Sequence, residues 1–163
     1  DRLMVVQQCR AEDIDRVFDA YEVAGVAAEL ATFFDDLPQR MSGAHLIVSR
    51  GGATTVAELA ALGRPAVLVP LPHSVDNDQL ENAIRFEKAG AGWCFEQAIM
   101  TPERLSSTLR RLFEEPATLA RAASRSKSLA RYDAVGRLAD LVVTLAEAPE
   151  TFAAKRAAEG HAG

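Results

Sequence analysis

The sequence predicts an α/β fold, a Rossmann-like parallel sheet with helices on both faces. Continuous apolar runs without polar alternation, such as HLIVS at 45–49 and AVLVP at 66–70, are typical of strands covered on both sides. Segments with apolar residues at helical spacing separate these runs. Strands that alternate with helices build parallel sheets through right-handed crossovers, so the pattern indicates repeated βαβ units.

The predicted strands and helices alternate along most of the chain. The strands are predicted at residues 3–7, 28–34, 45–49, 66–70 and 91–95. The helices are predicted at residues 11–24, 53–62, 79–88, 117–130 and 134–147, with a short one after the turn at 35–38 and another from Pro102. Because ligands of such sheets bind beyond the carboxyl ends of the strands, we expect the loops at 34–38, 49–55 and 70–79 along one rim.

Helix faces and helix ends support these boundaries. The spacing i, i+3, i+4, i+7 of one helix face is met by Ile14, Val17, Phe18 and Tyr21. A second apolar stripe follows Thr101, a good N-cap, and consists of Leu105, Leu109, Leu112 and Phe113. Glycine commonly ends a helix, and this role is expected of Gly25, Gly63 and Gly90.

Length and composition predict one domain at residues 1–147, followed by a flexible tail at 148–163. The 163 residues carry a net charge of −5, which argues against a broad, sequence-blind nucleic-acid binder. Cys9 and Cys94 stand apart without a CxxC pattern, so no zinc site is predicted and reduced thiols in a cytosolic protein fit best.

No apolar run approaches the roughly 20 residues that span a bilayer. Because an apolar run follows Asp1 almost at once, we expect a fragment of a longer chain.

The loop from Ser49 to Thr55 is the first candidate site. Gly51 and Gly52 allow a ligand to approach the backbone closely and allow positive φ, and the following helix offers unpaired N–H groups at its positive end. A phosphate or diphosphate is the expected ligand, with Thr54 and Thr55 capping the helix or donating their hydroxyls. The alternative is a tight βα turn without a ligand. Neither GxGxxG nor a Walker A loop is present, so nicotinamide cofactors and ATP are not favoured and no cofactor is predicted.

Glu58 lies on the same helix face as Thr54 and Thr55, which precede it by four and three residues. Its sequence neighbours are apolar, and a carboxylate in apolar surroundings needs a partner. Two vicinal ribose hydroxyls can supply that partner. The alternative is a surface glutamate that the helix dipole favours.

A second polar loop runs from Pro70 to Gln79 and is followed by Asn82. Its side chains can bind sugar hydroxyls, and the alternative is a solvated loop before a capped helix. His73 can titrate or bind a phosphate, or it is an ordinary loop residue.

Residues 30–145 resemble the carboxy-terminal domain of the MurG family of bacterial peptidoglycan glycosyltransferases. The motifs are Gly-Ala-x-Thr-x-x-Glu at 52–58, Gly-x-Pro at 63–65 and a Pro-x-x-His loop at 70–73 that leads to glutamine and asparagine. The resemblance implies one half of a GT-B enzyme with two Rossmann-like domains. Such an enzyme transfers N-acetylglucosamine from UDP to lipid I, with inversion and without a bound metal.

The resemblance also implies a set of substrate-binding residues. Phe34 presents backbone groups to the uracil, the helix start meets the diphosphate, and Glu58 binds the ribose hydroxyls. Gln79 binds the sugar or the ribose region, although Asp78 can take that role, and Arg50 supports the loop or contacts the ligand. The set is Phe34, Arg50, Gly52, Ala53, Thr54, Thr55, Val56, Ala57, Glu58, Gln79 and Asn82.

The sequence departs from the family by lacking the amino-terminal domain and the first strand of the carboxy-terminal one. In the family the missing part holds the acceptor site, the membrane-docking patch and the general base, so no catalytic residue is assigned here. The implied partners are UDP-N-acetylglucosamine and, through the missing domain, an undecaprenyl-linked acceptor lipid, with no nucleic acid. The implied location is peripheral, on the inner face of the bacterial cell membrane.

Two alternatives remain open. The first is another GT-B enzyme, a lipid glycosyltransferase or a sugar-nucleotide epimerase, although an epimerase would carry two adjacent glutamates where Leu59 follows Glu58. The second is a non-catalytic α/β binding module. Such a module would bind an acidic partner or an anionic lipid through a basic helix that carries Arg121, Arg125, Lys127 and Arg131. The alternative is that these side chains form a solvated face without a partner.

Overall fold

A computed structural model describes residues 3–74, 77–131 and 133–147. The strands are β1 (Met4–Gln8), β2 (Ala27–Ala31), β3 (Ile47–Ser49), β4 (Ala66–Leu68) and β5 (Gly92–Cys94). The helices are α1 (Ile14–Val23), α2 (Leu37–Gly43), α3 (Ala53–Leu62), α4 (Asp78–Lys88), α5 (Pro102–Glu114), α6 (Pro116–Ser128) and α7 (Ala134–Glu147). Short 3-10 turns lie at Ala11–Asp13 and Gln97–Ile99. The predicted order of elements is confirmed.

The strand pairs described are parallel, and they form two sheets rather than one continuous sheet. β1 pairs with β2, with Met4 opposite Ala27. β4 lies between β3 and β5, with Ala66 opposite both Ile47 and Gly92. The prediction of a parallel α/β fold is confirmed. The two sheets are separate because the connection from β2 to β3 through α2 does not place those two strands side by side.

The core lies on both faces of β4, whose three residues are fully buried. On one face, Ala66 and Leu68 belong to an apolar cluster with Leu59 of α3 and Phe86 of α4. On the other face, Val67 belongs to a cluster with residues of α5 and α6, Leu112 and Leu119. This arrangement confirms the helices predicted on both faces and explains why the sequence of β4 lacks polar alternation.

Most predicted helix ends are observed. Gly25, Gly63 and Gly90 have positive φ angles of 65°, 66° and 74°. Gly63 comes directly after α3, and Gly25 and Gly90 come two residues after the ends of α1 and α4. The Thr101 hydroxyl caps α5 by accepting the N–H of Arg104 at 3.3 Å. In the α5 stripe, Leu112 is buried but Phe113 is 41% exposed, because only one side of the helix meets the core.

Helix α7 carries exposed apolar side chains, including Leu138, Leu141 and Val142. The tail predicted at 148–163 lies outside the described residues. Among the described helices, none has the length and apolar character needed to cross a membrane.

Candidate functional site

The start of α3 offers backbone N–H groups without partners in the described chain. The first helical bond runs from the N–H of Val56 to the carbonyl of Gly52 at 3.0 Å. The N–H groups of Ala53, Thr54 and Thr55 precede it and donate to no described residue. Together with the positive end of the helix dipole, they can bind an anion.

Two details of the predicted loop are corrected. The N-cap of α3 is Gly52, and neither Thr54 nor Thr55 caps the helix, because both already lie in its first turn. Neither Gly51 nor Gly52 has a positive φ; that of Gly52 is −63°. The chain enters α3 from extended backbone, which needs no left-handed residue.

The two glycines of the loop have different roles. A Cβ on Gly51 would lie 2.3 Å from the carbonyl oxygen of Gln79, so the absent side chain lets α4 approach the loop. Around Gly52 the nearest atom to such a Cβ is the Thr55 hydroxyl oxygen at 3.9 Å. Gly51 therefore serves contact within the protein, whereas Gly52 leaves space for a ligand.

Glu58 lies on the exposed face of α3, together with Ala53, Thr54 and Ala57. The shared face predicted for Glu58 and Thr54 is therefore present, while Thr55 and Val56 are half-buried. The apolar surroundings predicted for the carboxylate are wrong, because the next residues, Leu59 and Ala60, turn into the core and leave Glu58 in solvent. Its carboxylate has no hydrogen bond or ion pair with the part of the chain that the structure describes.

Gln79 and Asn82 join the two predicted loops. The Gln79 Oε1 accepts the N–H of Leu71 at 3.0 Å, and the Asn82 Nδ2 donates to the carbonyl of Gly51 at 3.2 Å. Asp78 accepts the N–H of Gln79 at 2.7 Å through its Oδ1. The Gln79 Nε2 and the Asn82 Oδ1 meet no described partner, so one donor and one acceptor remain for a ligand.

Phe34 is held in place by an arginine that the sequence had not singled out. Its ring is buried, 7% exposed, and the Arg40 guanidinium lies 4.4 Å from the ring centroid. Arg40 also donates to Asp36 at 2.6 Å and to Glu29 at 2.8 Å. These bonds raise the pKa of Arg40 above its usual range, and the bond from Arg40 lowers the pKa of Asp36. The i, i+4 spacing of Asp36 and Arg40 was the available sequence signal.

The Phe34 backbone N–H donates to no described residue. His73, in the second loop, is exposed and has a positive φ of 57°. The two residues after Ser74 lie outside the described chain.

Arg50 bonds to protein groups. Its Nη1 donates to the carbonyls of Val69 and Pro70 and to the Gln97 side chain. A cavity of about 360 Å³ opens beside it, lined by Val48, Ser49, Arg50, Val69, Gln97 and Met100. No motif or spacing in the sequence pointed to Gln97. Within the described residues, no group of three or more His, Cys, Asp or Glu side chains is arranged to hold a metal ion.

The model of the glycosyltransferase family 28 C-terminal domain matches residues 1–138. The chain belongs to glycosyltransferase family 28. The resemblance found in its motifs is thereby confirmed.

Several curated relatives of this family 28 domain share one name, UDP-N-acetylglucosamine--N-acetylmuramyl-(pentapeptide) pyrophosphoryl-undecaprenol N-acetylglucosamine transferase. The relative from Rhodospirillum rubrum is 49% identical over 146 residues, which are 90% of this chain and 38% of the relative. The relative from Methylobacterium nodulans is 53% identical over 146 residues, 89% of this chain and 39% of the relative. The chain thus spans about two fifths of the relatives that it matches.

Solved structures agree with the family 28 assignment. MurG of Acinetobacter baumannii has a TM-score of 0.81 and 31% identity, covering 87% of this chain and 43% of that one. The glycosyltransferase VinC in complex with DTDP has a TM-score of 0.62 and 25% identity, covering 86% of this chain and 34% of that one. The fold of this family 28 domain is therefore one half of the GT-B arrangement.

Proposed function

We propose that this family 28 domain binds the donor in a transferase that moves N-acetylglucosamine from UDP to undecaprenyl-linked lipid I, giving lipid II for peptidoglycan. The observation that carries the proposal is the start of α3. Its free N–H groups and Glu58 lie on or beside one exposed helix face, one turn apart. A diphosphate next to a ribose matches that spacing of donors and acceptor.

In this proposal the α3 start stabilises the leaving group. As the bond to the sugar breaks, negative charge grows on the diphosphate of UDP. The N–H groups of Ala53, Thr54 and Thr55 and the helix dipole are already oriented towards that charge, which lowers the barrier without a metal ion. Gly52 allows the diphosphate to approach, Ala57 continues the exposed face of α3, and the half-buried Val56 packs against the core and holds the helix start in place.

The other proposed contacts orient the donor. Glu58 accepts hydrogen bonds from both ribose hydroxyls, and the Phe34 backbone binds the uracil. The free Nε2 of Gln79 and the free Oδ1 of Asn82 bind sugar hydroxyls or the ribose region. Arg50 supports the loop. The general base and the acceptor site belong to a domain outside this chain, so we assign no catalytic residue within it.

The same proposal places the complete enzyme peripherally on the inner face of the bacterial cell membrane, where its lipid acceptor is found. The relatives' shared name supports the donor and the acceptor, since it is a transferase name at 46–53% identity. Residues 1–147 then form the donor-binding domain, and 148–163 a tail.

The test measures donor binding by isothermal titration in wild type, Glu58→Gln and a matched control, Glu22→Gln on α1. Hydrogen bonds to a charged group contribute about 1.5–3 kcal/mol, so Glu58→Gln should weaken UDP-N-acetylglucosamine binding roughly 10- to 100-fold. Glu22→Gln should bind as wild type does.

A deoxy-ribose donor separates the ribose contact from general damage. Wild type should bind the 2′-deoxy donor more weakly than the natural one, and Glu58→Gln should bind both alike. Absence of UDP binding at millimolar ligand by the folded wild-type protein would overturn the proposal.

A further inference from the structure

One nitrogen of Arg50 links the segments that follow three neighbouring strands. Arg50 comes directly after β3, and its Nη1 donates to the carbonyls of Val69 at 3.1 Å and Pro70 at 3.3 Å, directly after β4. The same nitrogen donates to the Oε1 of Gln97 at 2.8 Å, in the 3-10 turn that follows β5. The carboxyl ends of β3, β4 and β5 are thus joined at a single atom.

Gln97 makes the shortest of the three bonds. Nη1 carries two hydrogens and faces three acceptors, so the carbonyls of Val69 and Pro70 share the hydrogen that is not donated to Gln97. A charged donor forms stronger hydrogen bonds than a neutral one. The cavity of about 360 Å³ beside Arg50 opens to solvent, and the three polar bonds tie the loop to the segments that follow β4 and β5.

The residue after Arg50 passes this restraint on to the donor site. Gly51 contacts the Gln79 backbone closely, and its carbonyl accepts from Asn82. Gly52 then begins α3 with its free N–H groups. A shift of Arg50 therefore moves both the start of α3 and the start of α4.

We propose that Arg50 and Gln97 form a positioning pair that holds the β3–α3 loop and the two residues directly after β4, Val69 and Pro70, in the geometry that binds the donor diphosphate. This inference rests on the proposed donor-binding function and adds Gln97, which lies outside the predicted site. In it Arg50 acts through the loop and does not touch the ligand.

The experiment compares Arg50→Ala, Gln97→Ala and the double variant in the full-length transferase, with donor KM, acceptor KM, kcat and UDP affinity measured for each. Arg85→Ala is the control, because Arg85 is a comparably exposed arginine that bonds to Glu81 on α4. Each single variant should raise donor KM about fivefold or more with acceptor KM unchanged. The double variant should be no worse than Arg50→Ala, because partners in one interaction are not additive.

Arg50→Lys supplies a conservative variant. Its ammonium keeps the charge and carries three hydrogens but ends one bond short of Nη1, so this variant should bind the donor better than Arg50→Ala and less tightly than wild type. A lower melting temperature with unchanged donor KM in Gln97→Ala would overturn the pair, since it would show a purely structural role.

A direct contact between Arg50 and the diphosphate gives a different result. Arg50→Ala would then lose UDP affinity while Gln97→Ala retained it, and the two changes would add. That outcome overturns the positioning pair but leaves the donor-binding function standing. Failure of wild type to bind UDP instead overturns the proposed function itself, so the two failures are distinguishable.

Discussion

The hydroxyl of Ser126 in α6 donates a 3.0 Å hydrogen bond to the backbone carbonyl of Leu59 in α3, and both residues are fully buried. Next to it, the Lys127 ammonium donates to the carbonyl of Ala61. These bonds hold the carboxy-terminal half of α3, whose other end offers its N–H groups to the proposed ligand. Helix α6 therefore holds α3 at the end opposite the proposed ligand site.

Replacing Ser126 by alanine should destabilise the protein by about 1 kcal/mol. The loss is modest because the Leu59 carbonyl also accepts the N–H of Arg64 at 2.9 Å and so keeps one partner. Urea unfolding measures the change. Ser128→Ala is the matched control, since that exposed hydroxyl donates to Arg125 within its own helix. Equal stability of the two variants would contradict the argued role of the buried bond.

Gly51 and Gly52 should respond differently to alanine. Gly51→Ala places a Cβ against the Gln79 carbonyl, and overpacking against backbone should cost about 2–3 kcal/mol. Gly52→Ala meets no atom closer than 3.9 Å and keeps an accessible φ, so its cost should stay below about 1 kcal/mol. Denaturant melts of both variants check this order, and the reverse order would show that the contact between the loop and α4 is not restrictive.

The sequence predicted those parts of the fold that depend on local pattern. The bounds of α3 at 53–62 and of α7 at 134–147 agree with the prediction, because capping and apolar spacing define them locally. The buried run of β4 was also recognisable. Strands β2 to β5 are shorter than the predicted apolar runs, since residues such as Val69 lie past the last ladder position and still pack on the core.

Contacts between distant segments were not predictable from the sequence. The bonds of Arg50 to Gln97 and of Ser126 to Leu59 join residues 47 and 67 positions apart, and no spacing rule relates such pairs. The surroundings of Glu58 were misjudged for a related reason. Apolar sequence neighbours imply a buried carboxylate only when they share its helix face, and Leu59 and Ala60 face the other way.

Asp36 should make stability depend on pH through its bond to Arg40. Because that hydrogen bond holds the folded pKa of Asp36 below its usual value of 3.8, the stabilisation is fully present above that value. It is lost as the pH falls through the lower, folded pKa. The difference in free energy of unfolding between wild type and Asp36→Asn should therefore be largest near neutral pH and shrink below pH ~4.

Urea melts of both proteins at a series of pH values measure this difference. Asp35→Asn is the control, since Asp35 is a neighbouring exposed carboxylate for which no bond to Arg40 is found. A difference between wild type and Asp36→Asn that stayed constant down to the acid limit would show that the ion pair does not contribute.

Arg40→Ala should weaken UDP binding more than it weakens the fold. The guanidinium covers the Phe34 ring and bonds to carboxylates on β2 and at the start of α2, so its loss frees the segment that presents the Phe34 backbone. Ordering such a segment again on binding costs about 0.5–1.5 kcal/mol, which is roughly a two- to tenfold loss of affinity. Calorimetric titration with UDP measures it. Arg16→Ala is the control, because the bond found for Arg16 among the described residues is to Asp13, just before α1. If Arg40→Ala bound UDP as tightly as Arg16→Ala, the Phe34 backbone would have no part in nucleotide binding, and the uracil contact would have to be sought elsewhere on the rim.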